Sequence, residues 1–193
     1  MTSLMVGNPA VFALESSITQ VSDILGQFAL GFFNIHVAGA RYGVHSPDAT
    51  MLGCSLNEVE RRLNGRGTHI FLPGLEQDAI TIADACIGAM YEEGRQTDIF
   101  FGLSAEGFRE LLSSRNIVWA PDGDEAFDDS SVVLQIDQAE RVRLIAFKNF
   151  VNREEVARTL SEIWLDEDEF YNMLKTWVAS FRAQREATLA KVE

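Results

Sequence analysis

Apolar and polar positions alternate most clearly between residues 127 and 148. Val132, Leu134 and Ile136 fall on one face of a first run. Val142, Leu144 and Ala146 share a face of a second, and Ile145 and Phe147 load its other face. The polar link Asp137-Gln138-Ala139-Glu140 predicts a hairpin with a short loop, expected at the centre of the sheet. Upstream, the turn signal Gly7-Asn8-Pro9 precedes a second alternation. There Phe12, Leu14, Ser16 and Ile18 oppose Glu15 and Ser17, which predicts a strand. A polar link at Ser22-Asp23 leads to Phe33, Ile35 and Val37 on one face of a second strand. Ala38-Gly39-Ala40 then turns the chain into a short third strand at Arg41-Tyr42. The opening is expected to be an antiparallel meander.

The periodicity lengthens elsewhere. Ser55-Leu56-Asn57-Glu58 has the form of a capping box, predicting a helix that starts there, runs through Val59 and Leu63 and stops near Gly65. Residues 68–73 are expected to be extended or loop. Ile80, Ala83, Ile87 and Met90 predict a helix over 78–91, ended by Gly94. Ile99-Phe100-Phe101 suggests a short strand, and Phe108, Leu111 and Leu112 a helical turn before Ile117-Val118-Trp119. Asn152-Arg153-Glu154-Glu155 caps a short helix through Val156 and Leu160. Asp166-Glu167-Asp168-Glu169 opens a terminal helix, whose stripe is Phe170, Leu174, Trp177, Val178 and Phe181. Arg182, Arg185 and Lys191 in its second half complement the helix dipole. The expectation is a single α+β domain over residues 1–193. Its mainly antiparallel sheet, N-terminal meander plus central hairpin, packs against the mid-chain and C-terminal helices.

Composition narrows the functional classes. The 193-residue chain carries 29 acidic and 16 basic side chains, a formal net charge of −13. That balance argues against nucleic acid and anionic membranes, both of which demand a basic footprint. It favours steered encounter with a basic partner. No apolar run is long enough to span a bilayer and the N-terminus lacks a secretory layout, so a cytoplasmic protein is expected. Cys54 and Cys86 are expected to be buried thiols rather than a disulfide.

Chemical motifs are sparse. Between Asn116 and Glu140 there is no Lys or Arg, while seven acids accumulate. Pro121-Asp122-Gly123-Asp124-Glu125-Ala126-Phe127-Asp128-Asp129 invites a calcium or carboxylate-enzyme reading. The alternation of ligands fails at Ala126, however, and no metal or cofactor is expected. Turn-forming aspartates on a solvated surface explain the stretch equally well. The run of residues 162–169 is accounted for by carboxylates at a helix N-terminus. His36, His45 and His69 have no metal-ligand spacing. Neither a Gly-x-Ser-x-Gly elbow nor a phosphate-binding glycine loop occurs, and Cys54 has no identified base. No catalytic residue emerges.

Three segments together resemble a known family. They are Val6-Gly7-Asn8-Pro9 with Phe12-Ala13-Leu14-Glu15, Leu30-Gly31-Phe32-Phe33-Asn34-Ile35 and Gly39; then Asp124 through Gln135 running into Val142 through Phe147; and finally Phe170-Tyr171 with Leu174 and Trp177. They are similar to the immunity proteins of bacterial polymorphic toxin systems, specifically immunity protein family forty-two. Asn8 stands where the family pattern has Asp, and Ser130 where a Gly often precedes the serine. The resemblance implies a non-enzymatic cytosolic protein that binds and neutralises a cognate toxin domain. A basic toxin would be steered to the acidic surface. The expected contact residues are Asp122, Asp124, Glu125, Asp128 and Asp129, with Phe127 and Trp119 as apolar anchors. Two other classes remain at this point: a small metal- or carboxylate-dependent enzyme using the acidic loop, and a non-catalytic adaptor or self-associating protein. Oligomeric state is left open.

Overall fold

The structure is a computed structural model and describes residues 3–21, 29–72 and 77–190. The predicted meander exists and is larger than expected. Strands β1 (Ser3–Asn8), β2 (Phe12–Val21), β3 (Ala29–Val37) and β4 (Ala40–Tyr42) pair antiparallel in that order, and β5 (Thr50–Met51) also pairs with β3. The link expected at Ser22-Asp23 lies outside the described residues. Phe12, Leu14 and Ile18 turn inward beside Phe33, Ile35 and Val37, as the alternation required. Between β2 and β3 the backbones pass closely at Gly31, where a Cβ would sit 1.9 Å from the Ser17 carbonyl oxygen. Only glycine fits there.

Helix α1 (Leu52–Asn64) starts three residues before the expected capping box. Its N-cap, Met51, makes no side-chain cap bond, and Ser55 is buried within the helix. The physical reason is that β5 runs straight into α1, so Leu52 joins Leu56 and Val59 in the core. Burying that face outweighs one cap bond. Helix α2 (Ala79–Met90) forms where predicted, capped by Asp78, which accepts from the Thr81 N–H at 2.7 Å. A two-stranded ribbon, β6 (Ile99–Phe100) and β7 (Leu103–Ser104), turns through Phe101 and Gly102, both at positive φ. It leads into α3 (Ala105–Ser114), a full helix where only a turn was expected, capped by Ser104 on the Gly107 N–H.

The hairpin is where its pattern put it. Strands β8 (Val118–Ala120), β9 (Ser131–Gln138), β10 (Arg141–Lys148) and β11 (Ser161–Asp166) form a second antiparallel sheet in the order β11-β10-β9-β8, with the hairpin inside. The α+β class stands, but meander and hairpin belong to separate sheets. Strand β11 goes beyond the expectation, which accounts for the acids of residues 162–169 as helix caps. The hairpin loop is tighter than expected, since β9 extends through Gln138 and only Ala139 and Glu140 lie outside the strands. Helix α4 (Arg153–Thr159) follows β10, capped by Asn152 on the Glu154 N–H. The terminal helix α5 (Glu167–Leu189) is capped by Asp166 on the Glu169 N–H; Lys191 lies outside the described residues.

Both faces of the hairpin are buried, which produces two cores. Val133, Val142, Leu144 and Ala146 face the first sheet, α1 and α5. Val132, Leu134, Ile136, Ile145 and Phe147 face α2, α3 and α4. The predicted stripe of α5 closes the first core. Trp177 meets Phe33 edge-on at 5.0 Å, stacks on Phe181 at 5.1 Å, and donates its indole N–H to Ser16 Oγ at 3.1 Å.

Candidate functional site

The acidic loop spans residues 121–130, between β8 and β9, and local hydrogen bonds tie it down. Gly123 supplies the positive φ of its first turn, and the Asp124 N–H donates to the Pro121 carbonyl at 3.2 Å. Asp124 Oδ1 accepts from the Ala126 N–H at 3.0 Å, capping a single 3-10 turn, Glu125–Phe127. The Ala126 carbonyl receives the Val44 N–H at 2.8 Å, fastening the turn to the segment after β4. At the loop's ends, Asp122 Oδ2 accepts from Asn149 Nδ2 at 2.9 Å, and the Ser130 carbonyl from the Asn149 N–H at 2.8 Å. Such a loop presents its side chains at little further entropic cost.

The predicted contact residues divide by burial. Asp124, Glu125 and Asp128 are exposed, and Asp122 is half-buried. Glu125 and Asp128 have no hydrogen-bond or ion-pair partner among the described residues. Asp129 is committed internally: it pairs with Lys148 Nζ and accepts from the Ser131 N–H at 3.2 Å. Trp119 and Phe127, expected as apolar anchors, are 3% and 4% exposed and belong to the first core. Phe127 packs edge-on against Phe33 at 6.3 Å, and Trp119 lies between Phe12 and Phe170. Burial removes both from any contact surface; they hold the loop up from beneath. The exposed apolar side chains nearby are instead Phe150 and Val151, the latter 95% exposed, immediately after the Asn149 that clamps the loop. Sequence reasoning missed them because a two-residue apolar stretch after a strand has no periodicity to mark it.

A buried polar network fixes the strand that leads into the loop. Arg62 is fully buried on α1 and donates to the carbonyls of Asn116 at 2.8 Å and Val118 at 2.9 Å, and to Gln135 Oε1 at 3.2 Å. Its Nε reaches Glu58 at 2.8 Å, and its guanidinium lies 5.1 Å over the Trp119 ring. Burial draws its pKa down to about 10 while Glu58 opposes that, so it stays charged at neutral pH. Gln135 Nε2 passes the network on to Asp137 and to Tyr171. Asp137, assigned to the hairpin link by its sequence, is instead a buried strand residue. Its carboxylate accepts from the Tyr171 hydroxyl at 3.0 Å and the Gly67 N–H at 2.8 Å. Burial first, then Asp137, pushes the Tyr171 hydroxyl up, so it stays protonated.

Other candidate chemistry disperses. The pocket between the loop and α1, lined by Cys54, Glu58, Asp124 and Trp119 among others, measures ≈20 Å³. That is room for about one water and no substrate. Among the described residues no three His, Cys, Asp or Glu side chains gather to hold a metal. The histidines lie apart: His36 on Glu15 at 2.9 Å, His45 on Asn34 at 2.9 Å and over Phe32, and His69 against the Arg115 and Asn116 carbonyls. Cys86 is buried, as expected, and burial pushes its thiol up to about 12. Cys54 is exposed, contrary to expectation, because the earlier helix start turns it outward.

No curated protein matches the sequence. The fold is similar to that of the solved CdiI from Burkholderia dolosa AUO158, at a TM-score of 0.57 and 18% identity, over 92% of this chain and 99% of that one. At that identity the likeness concerns the fold. The family model of Immunity protein 42 matches residues 1–180. With the meander, the hairpin and the stripe of α5 as far as Val178 inside that match, the chain belongs to the Immunity protein 42 family.

Proposed function

We propose that this immunity protein neutralises its cognate toxin domain by binding it through the ordered acidic loop and the apolar pair beside it. The observation that carries this reading is the pairing of unspent carboxylates on Glu125 and Asp128 with exposed Phe150 and Val151, joined through Asn149. An interface needs a desolvated apolar centre for affinity and a charged rim for steering, and this patch offers both. The net charge of −13 favours a basic partner, and a cleft that binds phosphate would meet carboxylates in their place. No helix among the described residues is long and apolar enough to cross a membrane, and the cytoplasm is the compartment proposed for the encounter.

The test uses the cognate toxin domain. Glu125→Lys with Asp128→Lys should slow association about 10-fold or more and flatten its salt dependence, leaving the melting temperature within a degree or two. Phe150→Ala with Val151→Ala should instead speed dissociation. Unchanged rates and salt dependence in both double variants would move the contact elsewhere on the molecule.

A further inference from the structure

The second concentration of charge on this molecule is positive. Ala40, Arg41 and Tyr42 of β4, Lys148 at the end of β10, and residues 158–161 at the α4–β11 junction line an open pocket of ≈220 Å³. No acidic side chain is among its lining residues. In a chain with 29 acids against 16 bases, that is an unusual place. Six arginines, Arg61, Arg62, Arg66, Arg95, Arg143 and Arg182, lie on a carboxylate. Arg41 and Arg158 are exposed and have no such partner among the described residues, and both line this one pocket. Lys148 joins them, its Nζ held 2.8 Å from Ser131 Oγ and paired to Asp129.

The floor of the pocket is electrically quiet. The Tyr42 hydroxyl lies 2.6 Å from the Thr159 carbonyl and 2.8 Å from Ser161 Oγ. Its proton goes to the carbonyl at the end of α4, and the Ser161 hydroxyl donates to the Tyr42 oxygen in turn. Burial pushes the Tyr42 hydroxyl up, so no phenolate forms there. A helix C-terminus ordinarily offers bare carbonyls that repel anions; this one is covered.

We propose that this pocket binds an oxyanion, a carboxylate or a phosphate, between the guanidinium groups of Arg41 and Arg158, with Lys148 reinforcing the field from its edge. Guanidinium forks match the paired oxygens of either group. The volume falls below the roughly 300–1,000 Å³ of drug-sized ligand sites, so the ligand is one small anion or a single side chain. Its two sources are a free anion and an Asp or Glu of a bound protein.

Nitrogen-15 NMR of the full chain tests this, with sodium phosphate and sodium glutarate as probes and sodium chloride at matched ionic strength as control. Saturable shifts are expected at the amides of Arg41, Tyr42, Leu160 and Ser161 with the oxyanions, absent with chloride. They should weaken at least about 10-fold in Arg41→Ala/Arg158→Ala, which alters only exposed side chains. Toxin affinity separates the sources: a fall in the double variant assigns the carboxylate to the toxin, and no change in affinity beside a phosphate response that the double variant loses assigns a free anion. Chloride-like shifts, or shifts indifferent to the double variant, together with unchanged toxin affinity overturn the site. The acidic-loop variants leave the titration as it is, so this proposal and the loop assignment fail separately.

Discussion

Arg62 is the residue whose environment departs furthest from its sequence position. It follows Val59 by three residues on α1, so it borders the apolar stripe, and nothing in the chain signals its burial. Removing its side chain takes the donor from Gln135 Oε1 and the Val118 carbonyl and leaves Glu58 with Arg61 alone. Arg62→Ala is expected to cost about 3–5 kcal/mol by urea unfolding, the range for breaking a buried charged pair. His69 gives a pH dependence of definite sign. Both carbonyls facing its Nδ1 are acceptors, so that nitrogen carries the proton, and the buried Nε2 has no partner. Burial, then the nearby Arg62, holds its pKa below the usual 6.5. The unfolded chain therefore takes up a proton more readily, and stability falls as pH drops below 6.5 toward the folded value. The urea midpoint should decline between about pH 7.5 and pH 5.5, and His69→Gln should remove that part of the slope.

Among the elements, side-chain caps were legible at α4 and α5 and misplaced at α1. Asn152 and Asp166 cap α4 and α5 as their sequences announced. Ser55 does not cap, because β5 delivers the chain into α1 already helical at Leu52. Two chemically identical substitutions separate the cases. Ser104→Ala, which takes the Gly107 N–H acceptor from α3, should cost about 1 kcal/mol, whereas Ser55→Ala should leave the start of α1 unchanged and cost less than half of that. Hydrogen exchange in the first turn of each helix would show the contrast directly. Among the unread strands, β1, β5 and β11 have a different cause. β1 and β11 are half-exposed edges and β5 has two residues, so none shows enough alternation to announce itself.

At the scale of the molecule, the pattern of the hairpin was fully visible, including the loading of its second face by Ile145 and Phe147. That it would serve two cores was not, because periodicity reports which faces are apolar and never what covers them. The acidic stretch was likewise legible as composition, but its division into exposed Glu125 and Asp128, committed Asp129 and buried Phe127 depended on the tertiary fold. Sharing one hairpin couples the two cores. Fluorescence of Trp119 and Trp177 reports the first core, and far-UV circular dichroism also senses α2 and α3 beneath the second. Ile145→Ala, a second-core change worth about 2–5 kcal/mol, should lower both urea midpoints equally. Separate transitions would show that the two cores fold independently.

The bond from Trp177 to Ser16 joins positions 161 apart in the chain. On the ribosome, the first sheet is synthesised long before the helix that covers it. Until Trp177 and Phe181 emerge, the inward row of Phe12, Leu14, Phe33 and Ile35 has no lid, and the nascent chain carries that greasy face unprotected. The finished shape therefore arrives late and all at once. A producing cell is shielded by completed copies, so its margin of safety is set by how far translation of this chain runs ahead of the appearance of the toxin.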